Sequence, residues 1–136
     1  MNTPTSATGH IEIVRDCAYS HPVGRVPLDG AMALLAQAVA HAREHRIPKL
    51  LVNAVGLDFP SPSLPERYFL ARKLAATAQG EVQLALVVHA HMIDPERFGV
   101  MVARNAGMNV EVFSVETEAL DWLHPAPGSR SESSSG

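Results

Sequence analysis

Two pairs of histidines in this sequence have the spacing that metal sites use. His41 and His45 lie in the string His-Ala-Arg-Glu-His, which fits the H-x-x-E-H pattern of inverted zinc peptidases. Histidines four positions apart on a helix share a face and can chelate an ion together. However, this string ends an alanine-rich segment, where cationic side chains suit the helix dipole without any metal, and no distant carboxylate stands out as a third ligand. We therefore predict no metal at this pair.

His89 and His91 form the second pair, directly after an apolar run that is typical of a strand. In an open α/β sheet, the exits of the central strands form the rim at which ligands collect. Side chains two apart on a strand lie on one face, so the pair could bind a metal or an anion. A chain that leaves a strand also carries polar residues simply because it meets water. The prediction is that the protein holds no metal and no cofactor, with a small metal-dependent enzyme as an alternative.

A second polar loop follows the other predicted central strand and shares this rim. Prolines at positions 60, 62 and 65 can simply stiffen the connection, or the loop and the helix after it can frame a small pocket. Arg97 belongs to the next segment that reaches the rim. The candidate ligand or partner surface consists of Phe59, Ser61, Ser63, Arg67, Tyr68, His89, His91 and Arg97.

Signatures of covalent catalysis and of nucleotide binding are missing from the sequence. There is no Gly-x-Ser-x-Gly nucleophile elbow, and Gly56-Leu57-Asp58 offers one glycine where phosphate loops need several. Cys17 is the only cysteine, which excludes an internal disulfide and a multi-thiolate metal site, and we expect it to be a small buried hydrophobe. We therefore predict that the protein is not an enzyme.

Composition favours one small domain that does not bind polyanions. The 136 residues are 46% apolar and 18% charged, which suffices for a single core. A net charge of −3 argues against binding to nucleic acid or to an anionic membrane, because both reward clustered Lys and Arg. Residues 1–8 lack the basic start and apolar run of a signal peptide, so we expect a cytoplasmic protein.

Hydrophobic periodicity predicts a strand followed by a helix, four times over. This alternation is typical of an α/β protein with a largely parallel sheet and about four helices. Between residues 18 and 28, Pro22, Gly24 and Pro27 permit at most a short edge strand near Arg25 and Val26. The predicted strands cover residues 10–15, 50–55, 82–88 and 110–113.

Helix starts and stops complete the predicted organisation. Ser63 and Glu66 have the spacing of a capping box, and Gly107 is a natural helix end. Residues 9–124 then form a single domain, between a flexible segment at 1–8 and a disordered tail at 125–136. The predicted helices begin at the capping residues Asp29, Ser63, Asp94 and Ser114 and end near residues 46, 79, 107 and 123.

Several segments together carry a resemblance to a known family. They are Leu50-Leu51-Val52-Asn53, residues 61–68 (SPSLPERY), residues 93–99 (IDPERFG), residues 103–107 (ARNAG), and Val112-Phe113 with residues 119–123 (ALDWL). Their pattern and order, from about residue 10 to residue 123, resemble the small bacterial STAS-like, SpoIIAA-like proteins. The resemblance implies a SpoIIAA-like fold, with a central mixed, mostly parallel sheet and its main helices chiefly on one face.

The resemblance also implies a mode of action. Relatives that are anti-sigma factor antagonists bind a kinase partner and are switched by phosphorylation of a serine at a helix start after a central strand. Ser61 and Ser63 occupy a similar place and are the candidate phosphosites, although the loop Phe-Pro-Ser-Pro-Ser-Leu lacks the Asp-Ser-x-Gly type of site. Other members of the wider group bind small apolar or lipid-like ligands.

These observations predict a non-enzymatic regulatory or ligand-binding module that acts through protein–protein contact. Its working surface would be the rim loops together with the second and third helices. The partner would be another protein or a second copy in a homodimer, with a small ligand left open. The alternatives are the metal-dependent enzyme with its site at His89 and His91, and a structural homo-oligomer that buries apolar helix surface between copies.

Overall fold

Seven strands and four α-helices lie in residues 11–125, the part of the chain that this computed structural model describes. The flexible segment predicted at 1–8, residue 10 of the first predicted strand, and all but the first residue of the tail predicted at 125–136 lie outside the described residues. The strands are β1 (Ile11–Val14), β2 (Cys17–Ser20), β3 (Gly24–Arg25), β4 (Lys49–Asn53), β5 (Leu57–Asp58), β6 (Gln83–Val87) and β7 (Asn109–Phe113). The helices are α1 (Leu28–Glu44), α2 (Leu64–Ala78), α3 (Phe98–Asn105) and α4 (Glu116–Leu123).

The main sheet has five strands in the order β1-β2-β4-β6-β7. β1 pairs antiparallel with β2, and every other neighbouring pair is parallel. β4 and β6 occupy the middle because both are continuous apolar runs, which suit a strand covered on both faces. The predicted mixed, mostly parallel sheet is therefore confirmed.

Helices cover the two faces of this sheet unequally. Leu50 and Leu84 point to the face that packs against α1, α2 and α3. Leu51 and Ala85, one position further along their strands, point to the opposite face and pack against Leu123 of α4. Because successive side chains of a strand alternate between faces, each central strand supplies both cores. Three of the four helices thus lie on one side, as the resemblance implied.

β2 corrects the prediction for the region after the first strand. At most a short edge strand was expected there, yet Cys17 and Ala18 are fully buried and β2 is the second strand of the main sheet. Its four residues are too few and too mixed to show a period, and their burial comes from pairing with β4 on one side and β1 on the other. The short strand expected near Arg25 is β3, which pairs with β5 outside the main sheet.

The start of α3 also differs from the prediction. Asp94 was expected to cap the helix, but α3 begins at Phe98 and its N-cap is Arg97 in the left-handed region, with φ of 55°. The Asp94 carboxylate accepts the backbone N–H of Phe98 at 2.8 Å, and the Asp94 carbonyl accepts that of Arg97 at 2.8 Å. Asp94 therefore closes a turn in front of the helix, because a short acidic side chain competes for nearby backbone amides.

Two further helix starts shift by a residue or two. α1 begins at Leu28 after Pro27, so Asp29 lies in its first turn instead of capping it, and there its charge still suits the helix dipole. α4 begins at Glu116 after Val115, so Ser114 is not its cap. Among residues 11–125, no helix combines the length and the apolar character needed to cross a bilayer.

Candidate functional site

The carboxyl ends of β4, β6 and β7 meet at one edge of the sheet, as parallel strands require. Val88 and Met92 after β6 pack with Leu57 after β4 and Val26 before α1 in a small apolar cluster below the loops of this edge. The cluster holds the two rim loops, residues 54–63 and 88–97, next to each other. The rim predicted from the strand order therefore exists.

Arg67 connects the two rim loops. Its Nη1 donates to the carbonyl oxygen of Met92 at 3.1 Å, and its Nη2 donates to Oγ of Ser61 at 3.4 Å. The guanidinium is half-buried at the base of α2. Two predicted site residues, Ser61 and Arg67, thus come together directly.

Ser63 closes the capping box that its spacing with Glu66 predicts. Its Oγ accepts the backbone N–H of Glu66 at 3.3 Å, and the Glu66 carboxylate accepts the backbone N–H of Ser63 at 2.8 Å. These hydrogen bonds from Ser63 hold the pKa of Glu66 below its usual value. The Ser63 hydroxyl is therefore occupied by the start of α2, whereas Ser61 is exposed beside the Arg67 guanidinium.

Both histidine pairs bring their rings together. The rings of His89 and His91 stack with centroids 5.5 Å apart, and His89 Nε2 lies 3.0 Å from the carbonyl oxygen of Val55. Because a carbonyl only accepts, that nitrogen carries the proton. His41 and His45 have centroids 4.1 Å apart at the far end of α1. Within residues 11–125, no group of three or more His, Cys, Asp or Glu side chains is arranged to hold a metal ion.

Arg97, the last of the predicted site residues, belongs to a cluster of charges on β7. The Glu111 carboxylate pairs with Arg97 and, at 2.8 Å, with Arg104 Nη2. Arg97 also donates to the carbonyl of Val112 at 3.3 Å. The Glu111 carboxylate thus pairs with two guanidinium groups, and these two ion pairs hold α3 against the edge strand β7.

A second polar network lies on the α4 side of the same rim and was not predicted. The Glu116 carboxylate accepts from Asn53 Nδ2 at 2.6 Å and contacts His21 Nε2 at 2.9 Å. Asn53 Oδ1 also accepts the backbone N–H of Val55 at 3.0 Å. The hydrogen bond from Asn53 lowers the pKa of Glu116, and the contact with His21 lowers it further. Sequence offered no signal, because the three residues are far apart in the chain.

An apolar cavity of about 140 Å³ lies between the sheet and the helices α1, α2 and α3. Leu86 of β6 lines it on the sheet side, and small residues such as Ala71 and Ala103 line it on the helix side. The predicted site residues Phe59, Arg67 and Arg97 lie at its mouth, so the rim opens into the core instead of onto a flat surface. The lining residues were missed because their pattern is that of ordinary core positions.

Four large apolar side chains of α2 and α3 are exposed to solvent and are here together called the helix patch. Their exposed fractions are 56% for Leu64, 47% for Tyr68, 59% for Phe69 and 51% for Met101. The Tyr68 ring lies 6.4 Å from that of Phe98 across the two helices. Tyr68 is the one member of the patch that the sequence analysis predicted as a site residue. Leu64 was missed because it follows the same helical spacing as the buried Ala71 and Ala75, which is typical of a core position.

Comparisons with known proteins support the fold. No protein-family model matches this chain, and no curated protein matches it. The chain is similar to the crystal structure of an anti-sigma factor antagonist from Mycobacterium paratuberculosis, with a TM-score of 0.55 and 17% identity over 90% of this chain and 98% of that one. It is also similar to an uncharacterized protein of the DUF3478 family with a SpoIIAA-like fold from Shewanella loihica, with a TM-score of 0.50, 18% identity and the same coverage. These likenesses confirm the predicted SpoIIAA-like fold.

Proposed function

We propose that this protein is a regulatory module that binds another protein through the helix patch and acts by contact rather than by catalysis. The observation that carries the proposal is the concentration of exposed apolar side chains on α2 and α3. Single exposed apolar residues are common on any protein, but several of them on two neighbouring helices are typical of an interaction site. The patch also belongs to the second and third helices, which the sequence analysis predicted as part of the working surface.

Charge around the helix patch indicates the kind of partner. Arg72 and Lys73 are exposed three and four positions after Phe69, so they adjoin it on α2. Arg104 on α3 lies three positions after Met101 and shares its single carboxylate with Arg97. A partner with an apolar centre and Asp or Glu at its rim complements this surface, and the matching charges speed the encounter.

The name of one fold neighbour agrees with a role through protein contact, since an anti-sigma factor antagonist is named for its effect on another protein. Nucleic acid, membranes and cofactors have no part in the proposal, and we place the protein in the cytoplasm. Of the two candidate phosphosites, we favour Ser61, because its exposed hydroxyl adjoins the Arg67 guanidinium, which can pair with a phosphate. Phosphopeptide mass spectrometry that locates phosphate on Ser63 instead would contradict this preference.

The test compares Phe69→Ser with Ile13→Ser, two changes of an exposed apolar residue to serine. Phe69 is 59% exposed in the helix patch, and Ile13 is 48% exposed on β1 at the far edge of the sheet. Proteins captured from a lysate of the source organism are identified, purified and titrated calorimetrically against each variant. A buried aromatic anchor contributes about 2 kcal/mol or more, so we expect Phe69→Ser to weaken binding about thirtyfold and Ile13→Ser to leave it unchanged.

Two outcomes overturn the proposal. A partner that binds Phe69→Ser as tightly as the unchanged protein does not use the helix patch. Native mass spectrometry that shows a dimer, lost in Phe69→Ser and kept in Ile13→Ser, would make a second copy the occupant and favour the structural homo-oligomer.

A further inference from the structure

Protein binding through the helix patch does not involve the apolar cavity between the sheet and α1, α2 and α3. A cavity of about 140 Å³ is close in size to an engineered one of roughly 150 Å³ that stays dry and binds benzene. Met32, Leu86 and Ala103 present only apolar side chains to it. An apolar cavity of this size accepts a hydrocarbon group of about six carbons, whereas water would find few partners there.

Arg67 makes the mouth of this cavity unusual. Its guanidinium is half-buried and donates to two neutral oxygens, those of Met92 and Ser61. In the part of the chain that the structure describes, no carboxylate lies within ion-pair distance of Arg67, although the other cation at the mouth, Arg97, is paired with Glu111. A half-buried cation next to an apolar cavity favours an anion at that point.

Asp94 is the acidic group at the mouth, and its carboxylate contacts backbone N–H groups instead of Arg67. Its carboxylate accepts the backbone N–H of Phe98 at 2.8 Å and that of Glu96 at 3.4 Å, in the turn before α3. The mouth therefore offers one cation whose charge is not matched and one carboxylate that is held by backbone amides.

We propose that the cavity binds a medium-chain monocarboxylate of about six carbons, with its hydrocarbon chain inside and its carboxylate on Arg67. The carboxylate and the guanidinium form a two-pronged charge-assisted pair, which the planar fork of arginine is shaped to make. This inference does not depend on a protein partner, and the ligand is recognised without the helix patch.

The experiment is isothermal titration calorimetry of the full chain with sodium hexanoate, together with a ¹H–¹⁵N correlation spectrum at saturation. We expect saturable binding, with shifts at amides of Leu86, Ala103 and their neighbours. Affinity should rise about fourfold for each CH₂ from butanoate to hexanoate, as transfer of a methylene from water predicts. Hexanol, which has the chain without the charge, should bind at least tenfold more weakly.

Two variants make the roles of charge and volume separable. Arg67→Gln should weaken hexanoate binding at least tenfold, whereas Arg72→Gln, an exposed arginine one turn further along α2, should leave it unchanged. Ala71→Leu fills the cavity and should abolish binding, with its fold checked by circular dichroism. Should that variant fail to fold, the hexanol comparison and Arg67→Gln still decide the matter.

Several results overturn the proposal: no saturable binding of hexanoate, equal binding of hexanoate and hexanol, or an Arg67→Gln variant that binds as the unchanged protein does. A palmitate affinity more than tenfold above that of hexanoate would show a long-chain lipid site instead and would contradict the size argument. Phe69→Ser should bind hexanoate normally, so failure of the helix patch and failure of the cavity are told apart.

Discussion

Removing the Ser63 hydroxyl should weaken the start of α2 by a predictable amount. Ser63→Ala takes away the acceptor of the Glu66 amide, 3.3 Å from it, and leaves the second hydrogen bond of the box, from the Ser63 backbone to the Glu66 carboxylate, in place. Replacement of an N-cap serine by alanine costs about 1 kcal/mol. For a domain of this length, that loss lowers the melting temperature by about 4 °C.

Urea unfolding followed by circular dichroism measures the loss as a lower midpoint at constant slope. Ser63→Asp should retain the stability of the unchanged protein, because aspartate is also a good N-cap and its charge suits the helix dipole. Ser61→Ala is the matched control, since that hydroxyl is exposed and makes one long hydrogen bond at 3.4 Å, so its effect should stay within about 0.5 kcal/mol. Equal stability of Ser63→Ala and Ser61→Ala would refute the assignment of Ser63 as a structural cap.

Three further changes test the core, the rim and a helix end by urea unfolding. Leu51→Ala should lower the free energy of unfolding by about 3–5 kcal/mol, because Leu51 is a fully buried residue of β4 that packs against α4. A loss under 1 kcal/mol would contradict that packing. The hydrogen bond from Asn53 lowers the pKa of Glu116 from its usual 4.5, so the carboxylate stabilises the fold above pH 4.5 and ceases to do so as the pH falls through the lowered pKa. Asn53→Ala should therefore lower the free energy of unfolding by about 1–2 kcal/mol at pH 7 and by less at pH 3. A loss of stability that does not change with pH would refute the link between Asn53 and the charge of Glu116. Gly107→Ala should cost about 1 kcal/mol from its φ of +96° alone, since a Cβ there meets nothing within 4 Å, and an unchanged midpoint would show that the backbone relaxes.

Sequence patterns predicted the elements whose signals are local. The central strands β4 and β6 are continuous apolar runs, and the Ser63 capping box depends on residues three positions apart, so both appear in the chain before any folding. β2 was missed because its burial depends on β4, a strand that lies about thirty residues further on. The start of α3 was misplaced because Asp94 has two uses, a helix cap or a turn, and local sequence does not choose between them.

For the candidate site, the sequence located the rim but not its shape. The rim follows from the rule that parallel strands end at one edge, which is why the loops that carry Ser61 and His89 were predicted to share it. The cavity is the small volume left unfilled where three helices pack on the sheet, so no single residue in the sequence predicts it.

The alternating pattern by itself determined the class of the fold, the order of its central strands and helices and the edge at which loops gather, because apolar periodicity and capping are properties of neighbouring residues. Tertiary structure alone decided which apolar side chains stay exposed. Leu64 and Ala71 lie on one helical stripe, yet Leu64 is 56% exposed and Ala71 is buried, because the first turn of α2 extends past the packed core. It also placed Arg67 beside the cavity, since a guanidinium meets hydrocarbon from other elements only when the helices have packed.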